Sequence, residues 1–303
     1  MKTYRANGKL LISGEYTVLD GSLSLALPTQ RGQELDYEWA DTDVLHWRSL
    51  DVNGHLWFEA HYKTSDFSLI DSSDTKKAAV LKEILLAATA LSSTTKPLKG
   101  EVTTRLEFPN DWGLGSSSTL LCCVAQCFEV NALDLHFKVS NGSGYDVACG
   151  LSDTAITYRL LNKKTEVLPI DWKPSFKDSL FFIYLNTKQK SSREVSKYQD
   201  RKKELNIAST VSKISKLTQK MIEATTIDAF NQAVDTHEEI MSIVLGYPTV
   251  KALYFADYPG SVKSLGAWGG DFILATGGVG DRAYFTDKGY TVAHEYASLI
   301  IEK

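Results

Sequence analysis

The sequence predicts an α+β protein in two parts, near residues 1–172 and 173–303. Three observations carry that expectation. Apolar and polar residues alternate with the strand period of two through much of the first sixty positions, and the alternation returns later in short runs. Segments with helical spacing stand between those runs, but without the regular βαβ succession of a parallel sheet. A polar, proline-containing stretch, "DWKPSFKD" at 171–178, separates one set of strands and helices from a second. With 303 residues, the chain can form one large domain or two of ordinary size.

The elements follow in order. "KLLISGEYTVL" is β-rich and broken at Gly14, and Asp20-Gly21 is a hairpin signal. "SLSLAL" and "ELDYEW" continue as strand. Residues 43–62 read as a hairpin turning at Asn53-Gly54. "TKKAAVLKEILLAATALSS" has helical spacing through Val80, Ile84, Leu85 and Ala88. "GEVTTRLEF" alternates as a strand, and after Pro109 a Gly/Ser turn opens a helix over about 116–130, apolar almost all round and hence buried. A second Gly/Ser turn at 140–150 precedes the strand "DTAITYRLL". Beyond the junction come the strand "SLFFIYL", a long helical region over about 191–245, and a third glycine turn, "GSVKSLGAWGGDFILATGG", that leads into a strand. In the helical region Ile207, Val211, Ile214 and Met221 keep an apolar face, and the charged run "REVSKYQDRKKEL" reads as a solvated one.

Composition narrows the function classes. A 43% hydrophobic and 23% charged content is that of a soluble globular protein. The formal net charge of -4 argues against a general nucleic-acid binder, which needs a basic footprint. The "LLI" at 10–12 is too short for the apolar region of a signal peptide, and no apolar run reaches the ~20 residues of a membrane span. Cys122, Cys123 and Cys127 share one apolar helix, Cys149 stands apart, and no histidine lies near them at zinc-site spacing. They read as small buried hydrophobes, and a reduced, cytoplasmic protein is expected.

The stretch "PNDWGLGSSSTLLCCVAQCFEV" at 109–130 holds a contradiction. Glycine and serine disfavour helix, yet two glycines and three serines stand where a buried helix begins. Capping is one explanation, since serine is a good N-cap and glycine permits a tight turn. A phosphate cradle is the other. Glycines let backbone approach a ligand, and a helix N-terminus offers free N–H groups and the positive dipole end. The turn is not a Walker A loop, because no Gly-Lys-Ser/Thr follows, and it is not a dinucleotide fingerprint, because Ser118 stands where the last glycine would be.

Three segments together resemble a family. "NGKLLISGEY", "GLGSSS" and "GAWGGDFIL" match, in order and spacing, the three motifs of the GHMP kinases. The resemblance spans almost the whole chain. It implies an N-terminal ATP-binding domain like ribosomal protein S5 domain 2 over 1–172, a ferredoxin-like C-terminal domain over 173–303, and a site between them. It implies that Gly113, Leu114, Gly115, Ser116, Ser117 and Ser118 wrap the ATP phosphates, with Ser117 touching Mg²⁺ carried with ATP. Lys9 matches a lysine near the acceptor hydroxyl and Asp146 the catalytic base. Carried over in the same way, Glu15, Tyr16, Ser143, Gly144, Lys190, Ser192, Gly266 and Ala267 would lie at the substrate. A carboxylate beside a lysine stays ionised, and the ammonium stabilises an emerging alkoxide, which suits phosphoryl transfer to a hydroxyl.

The chain also departs from the pattern. Asn7-Gly8 stands where Pro-Gly or Pro-Ala is usual, Tyr16 where mevalonate kinases commonly have histidine, and Trp268 interrupts the third glycine run. Trp268 would narrow the site, pack on the substrate or face the core. The connection from Ser118 to Gly144 is short and lacks a counterpart for the Mg²⁺-binding glutamate of mevalonate kinases. Glu129 lies about 18 Å beyond Ser117 at 1.5 Å per residue, too far to share its ion. "GEYTVLDG", "GSGYDVA" and "GGD" look like phosphomevalonate kinase, whereas "NTKQKSSREV" and "HEEIMSIVLG" look like mevalonate kinase. The expected protein is an ATP-dependent kinase, mevalonate kinase first and phosphomevalonate kinase as the alternative. A non-catalytic binding or regulatory protein on the same fold is the rival from another class. The expected partners are ATP and a small anionic alcohol or its phosphate, with no nucleic acid or membrane, in a monomer or homodimer.

Overall fold

The computed structural model describes residues 1–93, 98–162, 164–187 and 191–302. They form two compact units that interleave along the chain. Met1–Gly8, Arg31–Asn110 and Leu114–Leu151 make the first, and Lys9–Gln30, Asp111–Gly113 and Ser152–Lys303 the second. Strand β1 (Lys2–Ser13) starts in the first unit and ends in the second, and β2 (Ser24–Trp39) runs the other way.

In the first unit β3 (Val44–Leu50) and β4 (Leu56–Lys63) form the antiparallel hairpin expected at Asn53-Gly54. Gly54 takes a φ of 81°, in the left-handed region that glycine reaches without strain. β5 (Leu69–Ser72) pairs with β4. Helix α1 (Thr75–Leu91) is capped by Asp74, whose side chain accepts the N–H groups of Lys76 and Lys77. Its buried stripe is Ala78, Leu81, Ile84, Leu85 and Ala88. Val80 is 58% exposed, off the face the spacing assigned it. β6 (Gly100–Leu106) lies between β3, in parallel, and the second half of β2, antiparallel. Helices α2 (Ser116–Cys127), α3 (Ala132–Val139) and α4 (Tyr145–Gly150) complete the unit. Leu35, Trp47 and Val102 from the strands share one core with Leu85, Cys122 and Leu135 from the helices. Burial pushes the Cys122 thiol well above its usual range, with the neighbouring Cys123, Asp146 and Cys149 adding to the rise. These cysteines are packing residues, as the sequence indicates.

In the second unit β7 (Ile156–Leu161) pairs antiparallel with the start of β2, from Ser24↔Tyr158 to Ala26↔Ile156, and β8 (Lys164–Pro169) flanks β7. A separate antiparallel sheet contains β9 (Leu180–Tyr184), β10 (Val262–Ser264), β11 (Phe272–Thr276) and β12 (Ala293–Glu295) in the order β10-β11-β9-β12. The expected long helical region is three helices, α5 (Ser191–Arg201), α6 (Ile207–Glu223) and α7 (Ile227–Leu245). Asn206 and Thr226 cap the last two by accepting the N–H groups of Ser209 and Ala229. α8 (Val250–Tyr254), α9 (Arg282–Asp287) and α10 (Tyr296–Leu299) follow. β1 pairs with β2, but Asp20-Gly21 is not a tight two-residue turn between them. β1 ends at Ser13, a 3-10 turn spans Thr17–Asp20, and Gly21 closes it at a φ of 90°. Among the described residues no helix is long and apolar enough to cross a membrane.

Candidate functional site

The middle motif resolves into loop and helix start. Gly115 is the N-cap of α2 with a φ of 97° and gives no side-chain cap. The N–H groups of Ser116, Ser117 and Ser118 precede the first intrahelical bond, from the Thr119 N–H to the Gly115 carbonyl. The three serines are not equivalent. Ser118 is buried and donates its hydroxyl to the Gly115 carbonyl at 2.9 Å. Ser116 is half-buried, and Ser117 is exposed. Thr119, one turn in, donates to Gln33 Oε1 at 2.7 Å and fixes α2 to β2. The Ser118 hydroxyl is thus spent on its own helix, while Ser117 presents its hydroxyl beside the backbone donors and the positive end of a twelve-residue helix. Leu114 is fully buried and anchors the loop.

In the second unit Lys9, half-buried on β1, donates from Nζ to the Gly113 carbonyl at 2.9 Å. Gly113 has a φ of 69°, and a Cβ there would collide with the Asp271 carboxylate. Internal packing thus demands this glycine as strongly as any ligand would. Asp271 itself has a φ of 53° and is held by its backbone, its N–H donating to the Thr187 carbonyl at 2.7 Å and its carbonyl accepting the Leu185 N–H at 2.8 Å. Trp112 packs edge-on against Phe272 and His294.

In the first unit Asp146 lies in the first turn of α4, half-buried. Gly144 is the N-cap at a φ of 83°, and a Cβ there would press on Leu133 and His136. Ser143, just before it, is buried. Asp146 Oδ1 accepts the Val147 N–H at 3.1 Å.

The first and third motifs meet within the second unit. Glu15, expected at the substrate, is 1% exposed. Its Oε1 accepts Lys263 Nζ at 2.6 Å, and the same ammonium donates to Glu238 Oε1 and the Ser264 carbonyl, each at 3.1 Å. Glu238 Oε2 accepts the Ser264 N–H at 3.1 Å, and His237 Nε2 accepts the Gly14 N–H at 3.3 Å. The same nitrogen lies 3.3 Å from Glu15 Oε2. One lysine serves two buried carboxylates. Burial pushes Glu15 up to about 7 against the pull of Lys263. Burial, then Lys263, pushes His237 down to about 4. Sequence reasoning missed Lys263, His237 and Glu238. A signal existed, because His237 and Glu238 occupy the apolar stripe of α7 between Val234 and Met241, where a solvated charge does not belong.

Tyr16 is buried, and its hydroxyl accepts the Trp268 N–H at 2.7 Å. The Trp268 ring is 7% exposed, with its indole N–H on the Pro248 carbonyl at 3.1 Å. Of the roles considered for Trp268, the structure gives it the inward-facing one. Gly266 and Gly269 each have a φ of 73°, and among the described residues a Cβ on either would meet nothing within 4 Å. The turn therefore has an open flank. Ala267, between them, is buried. Lys190 and the side chain of Ser192 lie outside the described residues.

No family model matches the chain, and no curated protein matches it by sequence. Solved structures do match along the full length. The Lin0012 protein from Listeria innocua superposes with a TM-score of 0.74 at 16% identity, covering 94% of this chain and 93% of its own. Streptococcus pneumoniae phosphomevalonate kinase, in complex with phosphomevalonate and AMPPNP, gives 0.73 at 15% identity, covering 100% and 99%. L. major mevalonate kinase, in complex with R-mevalonate, gives 0.68 at 12% identity, covering 100% and 96%. With three motifs in order and matches over both lengths, the chain has the fold of the GHMP kinases.

Proposed function

We propose that this protein is an ATP-dependent kinase that phosphorylates a mevalonate-pathway intermediate, mevalonate first and 5-phosphomevalonate second. The observation that carries the reading is the start of α2: three backbone donors ahead of the first helical bond, a left-handed Gly115 and an exposed Ser117 hydroxyl. That set suits the phosphates of ATP. Among the described residues no three His, Cys, Asp or Glu side chains converge to hold a metal ion. A Mg²⁺ arriving with ATP would be held by phosphate oxygens, water and the Ser117 hydroxyl, a hard oxygen set that suits this ion, and would neutralise phosphate charge.

In this reading residues 1–172 form the ATP-binding domain and 173–303 the second domain. Asp146 takes the proton of the acceptor hydroxyl or orients that hydroxyl for attack. Lys9 stabilises the developing alkoxide while its bond to the Gly113 carbonyl keeps it beside the phosphate loop. The open flank at Gly266 and Gly269 lies toward the acceptor. The likeness of "NTKQKSSREV" and "HEEIMSIVLG" to mevalonate kinase supports mevalonate as the first acceptor. The phosphomevalonate kinase fold match and "GGD" support the second acceptor.

The test is nucleotide binding by titration calorimetry with Gly115→Val. A β-branched side chain at a φ of 97° obstructs both the backbone conformation and the approach of phosphate. ATP affinity should fall by about 100-fold or more, the loss of several charge-assisted bonds, with the fold retained by circular dichroism. A folded variant that binds ATP like wild type removes the phosphate-cradle assignment.

A further inference from the structure

Two unusual residues of the first and third motifs touch each other. Tyr16 stands where mevalonate kinases commonly have histidine and Trp268 interrupts a glycine run, and the Tyr16 hydroxyl accepts the Trp268 N–H at 2.7 Å. The residue before Tyr16 grips the other end of the same turn. Glu15 holds Lys263 at 2.6 Å, and Lys263 lies in β10, which feeds directly into the turn. We propose that Glu15 and Tyr16 form a two-point clamp on the third glycine turn, making Tyr16 a positioning residue for whatever binds at the open flank of Gly266 and Gly269.

Three features argue for a clamp rather than incidental packing. Tyr16 has a φ of 61° and a ψ of -49°, a conformation that a bulky residue rarely adopts. Such a backbone persists only where its surroundings over-determine it. Here they do: Glu15 is ion-paired at full burial, the Tyr16 ring lies 5.6 Å from that of Tyr198, and Tyr198 is fixed by donating to Asp20 Oδ2 at 2.6 Å. The turn has little of its own to hold it on the open side. Its bonds among the described residues include Leu265 N–H to the Phe272 carbonyl at 3.1 Å, Gly269 N–H to Ser264 Oγ at 3.3 Å and Gly270 N–H to the Ala267 carbonyl at 3.2 Å. Finally, the Trp268 indole is secured to Pro248, so the Trp268 N–H is held from the side-chain end while Tyr16 receives it from the other. Glu15, fully enclosed, acts through Lys263 and not by touching a ligand.

The functional consequence rests on the kinase reading, in which this turn faces the acceptor. Tyr16→Phe deletes one hydroxyl and keeps the ring and the backbone constraint. Amide hydrogen exchange at Trp268, read by NMR or on peptides covering 265–271, tests the clamp without reference to catalysis. A hydrogen bond of ordinary net worth predicts about 3- to 10-fold faster exchange there, with protection in β9 and β11 and the melting temperature unchanged. In the enzyme assay, the KM for the acceptor should rise by a similar factor while the KM for ATP stays at the wild-type value. Unchanged exchange at Trp268 overturns the clamp. Faster exchange with an unchanged acceptor KM, or with both KM values raised equally, overturns the positioning role. If wild-type protein transfers no phosphate to any acceptor, the kinase reading fails and the exchange result alone decides the clamp.

Discussion

Among the described residues Asp146 accepts a local N–H, from Val147, and a turn-forming aspartate would do the same. The two roles separate on substitution. Asp146→Asn preserves shape and the local bond and removes the charge. If Asp146 handles the acceptor proton, kcat should fall by about 10²–10⁴, with ATP affinity and melting temperature near wild type. A variant that keeps more than about half of wild-type turnover assigns Asp146 to the turn and leaves catalysis to positioning alone. At this scale the sequence was readable where chemistry is local. The glycines at 113, 115 and 144 all have positive φ, as Gly/Ser turns imply. What "GLGSSS" could not reveal is that Gly113 must also avoid Asp271, more than 150 positions away, or that Ser118 is spent on its own helix.

The buried cluster joins three elements: the loop after β1 with Glu15, α7 with His237 and Glu238, and β10 with Lys263. Its titration has a sign that can be worked out. Burial raises Glu15 from 4.5 to about 7. Above the usual carboxylate range the unfolded chain has released a proton that the folded chain keeps, so this group weakens the fold as pH rises from about 4.5 to 7. His237 is lowered from 6.5 to about 4. The unfolded chain binds a proton below about 6.5 that the folded chain refuses, so this group weakens the fold as pH falls. Burial opposes ionisation of Glu238, but Lys263 and His237 hold it below its usual range; its contribution is lost only at lower pH. Lys263 is raised by Glu15 and Glu238 despite its burial and stays charged throughout. Between pH 4.5 and 6.5 the slopes of Glu15 and His237 oppose each other. In Glu15→Gln only the histidine slope remains, so its melting temperature should fall more steeply than that of wild type as pH drops from 6.5 to 4.5. Parallel curves would contradict this account. Strands and hairpins were legible because alternation is a local signal, as at β3 and β4. The cluster was not, because partners on three distant elements leave no periodic trace.

At the scale of the molecule, neither unit is one run of chain. Each takes part of β1 and part of β2, and Asp111–Gly113 belongs to the second unit while the serines that follow belong to the first. A reading along the sequence finds a single junction near 172, since composition marks linkers and not strands shared between units. The order of three motifs nonetheless carried the fold, which the full-length structural matches bear out. Fold alone does not establish activity, so the central claim is a chemical one: this chain moves the γ-phosphoryl group of ATP to a small carboxylate-bearing acceptor. The direct measurement is mass spectrometric detection of the phosphorylated product together with ADP release, with mevalonate, 5-phosphomevalonate, homoserine and galactose offered in turn. The account predicts ADP-coupled product with mevalonate or 5-phosphomevalonate, and the higher kcat/KM of the two names the substrate. Product only from galactose or homoserine, or from none of the four with ATP bound, would contradict it.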